Sequence, residues 1–233
     1  MNRIDYFIEN YNVGTIDFGD ENFGLNPKWI KEFCEEIKKR DILWRCEARV
    51  DFTPTLEKIR MLKDSGCVCI NYGIESGSDK MLNVMEKRST VKKNIRALNN
   101  TIDGGLDTTI QIIIGMPGEN SETIHETSKF IKTIVQNSTK YDPNRLSLNF
   151  AQALPGTPLY EYAREHGFVG RTVDEEEKYL LDISDKDAYD SDHFINFTKQ
   201  PLLKVLSWRF KIDWIVWRKH AEVNLEIKLS KTK

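Results

Sequence analysis

Four cysteines and four histidines among 233 residues leave this chain few of the groups that hold transition metals or staple small domains. Cys34, Cys46, Cys67 and Cys69 are scattered and no secretory signal is evident, so reduced thiols in the cytoplasm are expected rather than a disulfide framework. Only Cys67 and Cys69 lie close together; a one-residue spacer inside an apolar run puts both on one strand face, as buried core thiols. Long apolar runs are also missing. No uncharged stretch approaches the ~20 residues needed to cross a bilayer. The net charge of -2 gives no general pull toward nucleic acid, and no such partner is expected. What remains, 39% hydrophobic and 30% charged residues, suits one soluble domain with a sizeable core.

Apolar runs that read as strands alternate with amphipathic stretches that read as helices, the pattern of a parallel sheet with crossover helices. The strand candidates are Val13 to Phe18, Ile42 to Cys46, Cys67 to Ile74, Leu106 to Ile114 and Arg145 to Ala151. Helices are expected from Pro27 to Arg40, from Thr53-Pro54 to Gly66, from Asp79 to Met85, from Thr90 to Ile102, from Ser121 onward and from Tyr160 to His166. Strands recur about every 30 residues, as in βα barrels, but five are too few to close the usual eight-stranded one.

After Gly170 the composition changes. The Asp174–Glu177 run and the stretch from Asp182 to Asp192 are rich in acids and read as a solvated connection. From Pro201 a helix-compatible segment carries Trp208, Trp214 and Trp217, and residues 199–233 hold nine Lys or Arg against three acids. Such a segment suits a helix docked on the barrel, or one lying on a membrane surface or against a partner. The expected division is 1–168 for the core, 169–200 for the acidic connection and 201–233 for the helical extension.

Chemistry is expected at the strand tips. Asp20, Glu21, Glu47, Asp51, Glu75 and Glu119 all fall at or just past the ends of predicted parallel strands, so the fold would gather them at one mouth. Clustered acids can bind a cation, move protons, or hold hydroxyls and an ammonium group. Gly73, Gly77, Gly115, Gly118 and Gly156 would let backbone approach a flat ligand closely. A metal-assisted barrel hydrolase or isomerase is one outcome, but His125, His166, His193 and His220 all fall away from the tips.

Six segments occur in an order that resembles radical S-adenosylmethionine enzymes. They are Phe18-Gly19-Asp20-Glu21-Asn22-Phe23, Trp44-Arg45-Cys46-Glu47-Ala48-Arg49-Val50-Asp51, Tyr72-Gly73-Ile74-Glu75-Ser76-Gly77-Ser78, Met85-Glu86-Lys87 to Thr90, Ile114-Gly115-Met116-Pro117-Gly118-Glu119 and Leu154-Pro155-Gly156-Thr157-Pro158-Leu159. The chain is most similar to the branch associated with cobalamin-binding domains, over roughly residues 10 to 166. The resemblance implies an α/β fold, a partial (β/α)6 TIM-like barrel lacking its first βα unit, with a C-terminal helical extension. It implies that Asp20 and Glu21 contact the methionine amino group of S-adenosylmethionine, and that Glu75 with Ser76 lies near the ribose or methionyl moiety. It places Ile113, Gly115, Gly118, Ala153 and Leu154 around adenine, and Arg49 and Lys87 near the methionine carboxylate.

The resemblance also implies a 4Fe-4S cluster, optional cobalamin, an electron donor such as flavodoxin or ferredoxin, and an unidentified small-molecule substrate. The family holds its cluster on Cys-x3-Cys-x2-Cys. Separations of 12, 21 and 2 between the cysteines here cannot imitate that loop. The expectation is therefore an N-terminally truncated member whose upstream half carries the cluster and a cobalamin-binding domain, with the isolated chain inactive. A cluster-free S-adenosylmethionine-binding or partner module is the alternative.

Overall fold

The computed structural model describes residues 1–20, 23–50, 55–137, 145–184, 188, 190 and 194–230. Glu21, Asp51, Thr53-Pro54 and His193 lie outside the described residues. The chain runs α1 (Asn2–Tyr11), β1 (Thr15–Phe18), α2 (Pro27–Ile37), β2 (Leu43–Ala48), α3 (Leu56–Asp64), β3 (Cys67–Glu75), α4 (Asp79–Val84), α5 (Val91–Asp103), β4 (Asp107–Ile114), α6 (Ser121–Asn137), β5 (Leu146–Phe150), α7 (Pro158–Glu165), α8 (Val173–Ser184) and α9 (Leu202–Ser230).

The five strands form one parallel sheet in sequential order, β1-β2-β3-β4-β5. Sequential parallel strands joined by right-handed crossovers put every crossover helix on the same face, which gives the arc of an α/β, TIM-like partial barrel. Local chemistry starts the helices. Asn26 Oδ1 accepts from the Lys28 and Trp29 amides at 3.0 and 3.1 Å, with Pro27 preset for the first turn of α2. Thr55, Thr90 and Thr157 cap α3, α5 and α7 in the same way.

The two faces of the sheet differ sharply. Toward the helices point Trp44, Cys46, Ile70, Tyr72, Ile74, Ile110, Ile112, Ile114, Leu148 and Phe150, all buried. The Trp44 indole donates to the Ser65 carbonyl at 2.9 Å, and the Tyr72 hydroxyl meets Thr101 Oγ1 at 3.0 Å, so both buried polar tips are satisfied. The opposite face is polar and half-exposed. Register aligns Asp17, Arg45, Cys69 and Asp107 in one row, Glu47, Asn71 and Thr109 in the next, then Gly73, Gln111 and Ser147. An Asp17–Arg45 ion pair at 2.5 Å lies within it.

Two local expectations change, and one helix is added. A register shift between Trp44 and Arg45 makes Val68 the extra residue of a bulge, so Cys67 sits beside Trp44 and Cys69 beside Arg45. The two thiols therefore line opposite faces, not one, although both are buried and all four cysteines are free, as expected; Cys34 and Cys46 are buried as well. The acidic stretch contains helix α8, with Asp174, Glu175 and Glu176 in its first turn, where carboxylates favour the helix dipole. Residues 2–11 form helix α1, tied to the end of α2 by a bidentate contact of Arg40 with Asp5.

Candidate functional site

Parallel strands bring their C-terminal ends to one edge, so Asp20, Arg49, Glu75, Gly115 and Ala153 follow neighbouring tips in order. At ~4.8 Å between strands, the five tips span ~19 Å, enough to seat a nucleoside-amino acid lengthwise.

Glu75 is the centre of this edge. Pairing with β4 shifts between Gly73 and Glu75, and Glu75 takes a φ of 65°. A non-glycine residue in this left-handed region costs free energy and marks a functional candidate. Its Oε1 lies 2.7 Å from Lys87 Nζ, with the carboxylate side chain 12% exposed. Gly73 leaves the room: a Cβ there would stand 2.8 Å from Glu75 Oε1. Arg49 Nη2 donates to the Lys87 carbonyl at 3.2 Å, so Arg49, Lys87 and Glu75 form one connected group. Lys87, expected to face a ligand carboxylate, is thus the ion-pair partner of Glu75.

The turn after Glu75 is locked onto α6. Ser76 is buried, its hydroxyl 3.2 Å from Thr127 Oγ1, so its side chain faces α6 rather than the mouth. The Gly77 amide donates to the same Thr127 hydroxyl at 3.2 Å. A Cβ on Gly77 would lie 2.5 Å from Phe130 Cβ and 2.7 Å from Thr127 Cα, so no larger residue fits.

After β4, Gly115 and Gly118 turn the chain with φ values of 94° and 81°. Glu119 closes this turn: it is 1% exposed, and its Oε2 accepts the Gly115 amide at 2.6 Å. Its Oε1 is buried without a hydrogen-bond partner among the described residues. Burial pushes this carboxyl up to about 7, against the pull of the Gly115 and Met116 amides. Ile113 is half-buried at the end of the polar face. Ala153 is fully buried and its carbonyl accepts the Tyr179 hydroxyl at 2.7 Å, whereas Leu154 is exposed. That latch from α8 carried no signal in the sequence. Asp20 is exposed, and its carbonyl accepts the Phe23 amide at 3.2 Å.

The tips bring together a fixed carboxylate, a cation group and glycine turns, the kinds of group that bind a small polar ligand. The thiols do not suit a 4Fe-4S cluster. All four are buried; burial pushes Cys34 and Cys69 up, and a hydrogen bond with Cys67 together with burial does so for Cys46. Among the described residues no group of three or more His, Cys, Asp or Glu could hold a metal ion.

Fold and tips define a parallel βα half-barrel with a ligand mouth at the strand ends. The Radical SAM superfamily model matches residues 1–131, and the chain belongs to that superfamily of enzymes. It is 30% identical over 135 residues to an anaerobic magnesium-protoporphyrin IX monomethyl ester cyclase of Rubrivivax gelatinosus, covering 57% of this chain and 24% of that protein. Against an uncharacterized methyltransferase of Pyrococcus horikoshii it is 33% identical over 155 residues, covering 66% and 32%. The chain thus spans about a quarter to a third of these relatives' lengths. The fold matches TsrM, a radical S-adenosylmethionine methyltransferase from Kitasatospora setae, with a TM-score of 0.58, 18% identity and coverage of 74% and 34%. It matches OxsB, a cobalamin-dependent radical enzyme, with a TM-score of 0.55, 19% identity and coverage of 75% and 32%.

Proposed function

We propose that this chain supplies the S-adenosylmethionine-binding strand tips of a radical S-adenosylmethionine enzyme whose cluster ligands lie outside it. The observation that carries this is Glu75, held at positive φ on a bulge and paired with Lys87 at the centre of the mouth. Lys87 fixes one carboxylate oxygen, and the other accepts from a ribose hydroxyl. Asp20, with Glu21 beside it, faces the ligand's ammonium group; Arg49 serves its carboxylate. Backbone at Ile113, Gly115, Gly118, Ala153 and Leu154 receives the adenine.

A 4Fe-4S cluster held by residues outside this chain would supply the electron for reductive cleavage of the bound S-adenosylmethionine, while the strand tips here would hold and orient that molecule. The buried thiols here give no ligands for that cluster, so reductive chemistry would require cluster ligands and an electron donor from outside the residues of this chain. The methyltransferase relative and the cobalamin-containing neighbours favour a cobalamin-assisted reaction on a small molecule.

Calorimetric titration of the chain with S-adenosylmethionine tests this. Glu75→Gln should weaken binding by roughly 10- to 100-fold, as for loss of hydrogen bonds to a charged group. Unchanged affinity in the variant, or no binding by the parent chain, would contradict the assignment. Activity that appears only with a cluster-bearing upstream half separates an enzyme from a binding module.

A further inference from the structure

Helix α9 has two apolar faces, and only one is used by the fold. Val205, Trp208 and Ile212 are buried in the core. On the other side Leu203, Phe210, Trp214 and Trp217 are 81%, 70%, 51% and 59% exposed. The Trp214 and Trp217 rings stack at 4.9 Å between centroids, and Phe210 lies 6.4 Å from Trp214. A seven-residue repeat builds this surface: Leu203-Lys204, Phe210-Lys211 and Trp217-Arg218 each place an apolar residue beside a cation. At 3.6 residues per turn the three pairs fall almost in line, over ~21 Å of helix.

The cationic edge continues onto α6. A groove of about 370 Å³ between the two helices is lined by His125, Lys129, Lys132, Lys211, Trp214 and Arg218, among others. Glu222, also on this groove, sits between Arg218 at 3.2 Å and Lys219 at 3.7 Å, and Asp213 faces Arg209 at 3.7 Å. Cations exceed acids along the whole edge.

We propose that the outer face of α9, with the α6 cations beside it, lies on an anionic lipid surface. Exposed tryptophans next to lysine and arginine are the composition of a helix resting in the headgroup region. Two copies of this face would oppose cation to cation, whereas anionic headgroups complement it. Among the described residues no helix is long and apolar enough to cross the bilayer, so the helix lies along the surface.

The test is co-sedimentation of the full chain with phosphatidylcholine vesicles containing or lacking anionic phosphatidylglycerol, with tryptophan emission as a second signal. Binding should require the anionic lipid, fall with salt and shift the emission to the blue. Trp214→Ser with Trp217→Ser should abolish the emission shift while leaving the circular dichroism unchanged, since both rings are outside the core. Lys211→Gln with Arg218→Gln should reduce vesicle binding roughly thirtyfold, the size expected for removing two cations near such a surface. Equal binding to neutral vesicles, no binding to either, or concentration-dependent dimerisation abolished by the tryptophan variant would overturn the proposal. The last outcome would assign the face to a protein contact.

Discussion

Replacing Glu119 by Gln should change how the stability of the protein depends on pH. The carboxyl is 1% exposed and its Oε1 has no partner among the described residues. Burial raises it from the ordinary 4.5 to about 7. An acid raised in the folded state keeps a proton that the unfolded chain has released between those values. Stability therefore falls as pH rises through that window, and the loss is complete above about 7. A gap of this size corresponds to about 3 kcal/mol. Glutamine keeps an oxygen to accept the Gly115 amide but cannot ionise, so the variant should lack this slope. Urea denaturation of both proteins from pH 5 to 8.5 gives the difference directly, and carboxylates common to both cancel. The variant should gain about 3 kcal/mol on the parent across the range. A constant offset between the two curves would be consistent with a lost or new hydrogen bond alone. A flat difference would therefore refute a carboxyl held neutral by burial.

Two further outcomes follow from contacts at the mouth. Gly77→Ala forces a methyl against Thr127 backbone and Phe130, and overpacking of this kind should cost about 2–3 kcal/mol in a denaturant titration. Tyr179→Phe removes the hydrogen bond to the Ala153 carbonyl and should cost about 1 kcal/mol, with faster amide exchange in α8 as its specific sign.

The arc of parallel strands was legible because alternation and spacing report it directly, and the acids and glycines at the tips mark where the strands stop. The Glu75 tip could be read from Tyr72-Gly73-Ile74-Glu75-Ser76-Gly77, but not its pairing with Lys87, which depends on how α4 returns to the sheet. The bulge at Val68 was not readable, since Cys67 and Cys69 alternate in sequence as if on one face; the extra residue appears only in the pairing with β2. Helix α8 was hidden by its own surface. None of its residues is fully buried, and only Tyr179, Leu180 and Ile183 give it a short half-buried apolar side behind an acidic first turn. It is held by the Tyr179 hydroxyl on the Ala153 carbonyl and by the Tyr160 hydroxyl on Glu176. The burial of Ser76 against Thr127 is likewise a tertiary contact, 51 residues apart.

The central claim is that these strand tips receive S-adenosylmethionine. A titration of the isotope-labelled chain with S-adenosylmethionine, followed by amide NMR, tests it most directly. The account predicts saturable shifts confined to Asp20, Arg49, Glu75 to Gly77, Gly115 to Gly118 and Ala153-Leu154, with α9 unmoved. Shifts centred on the groove between α6 and α9, or none at saturating ligand, would contradict it.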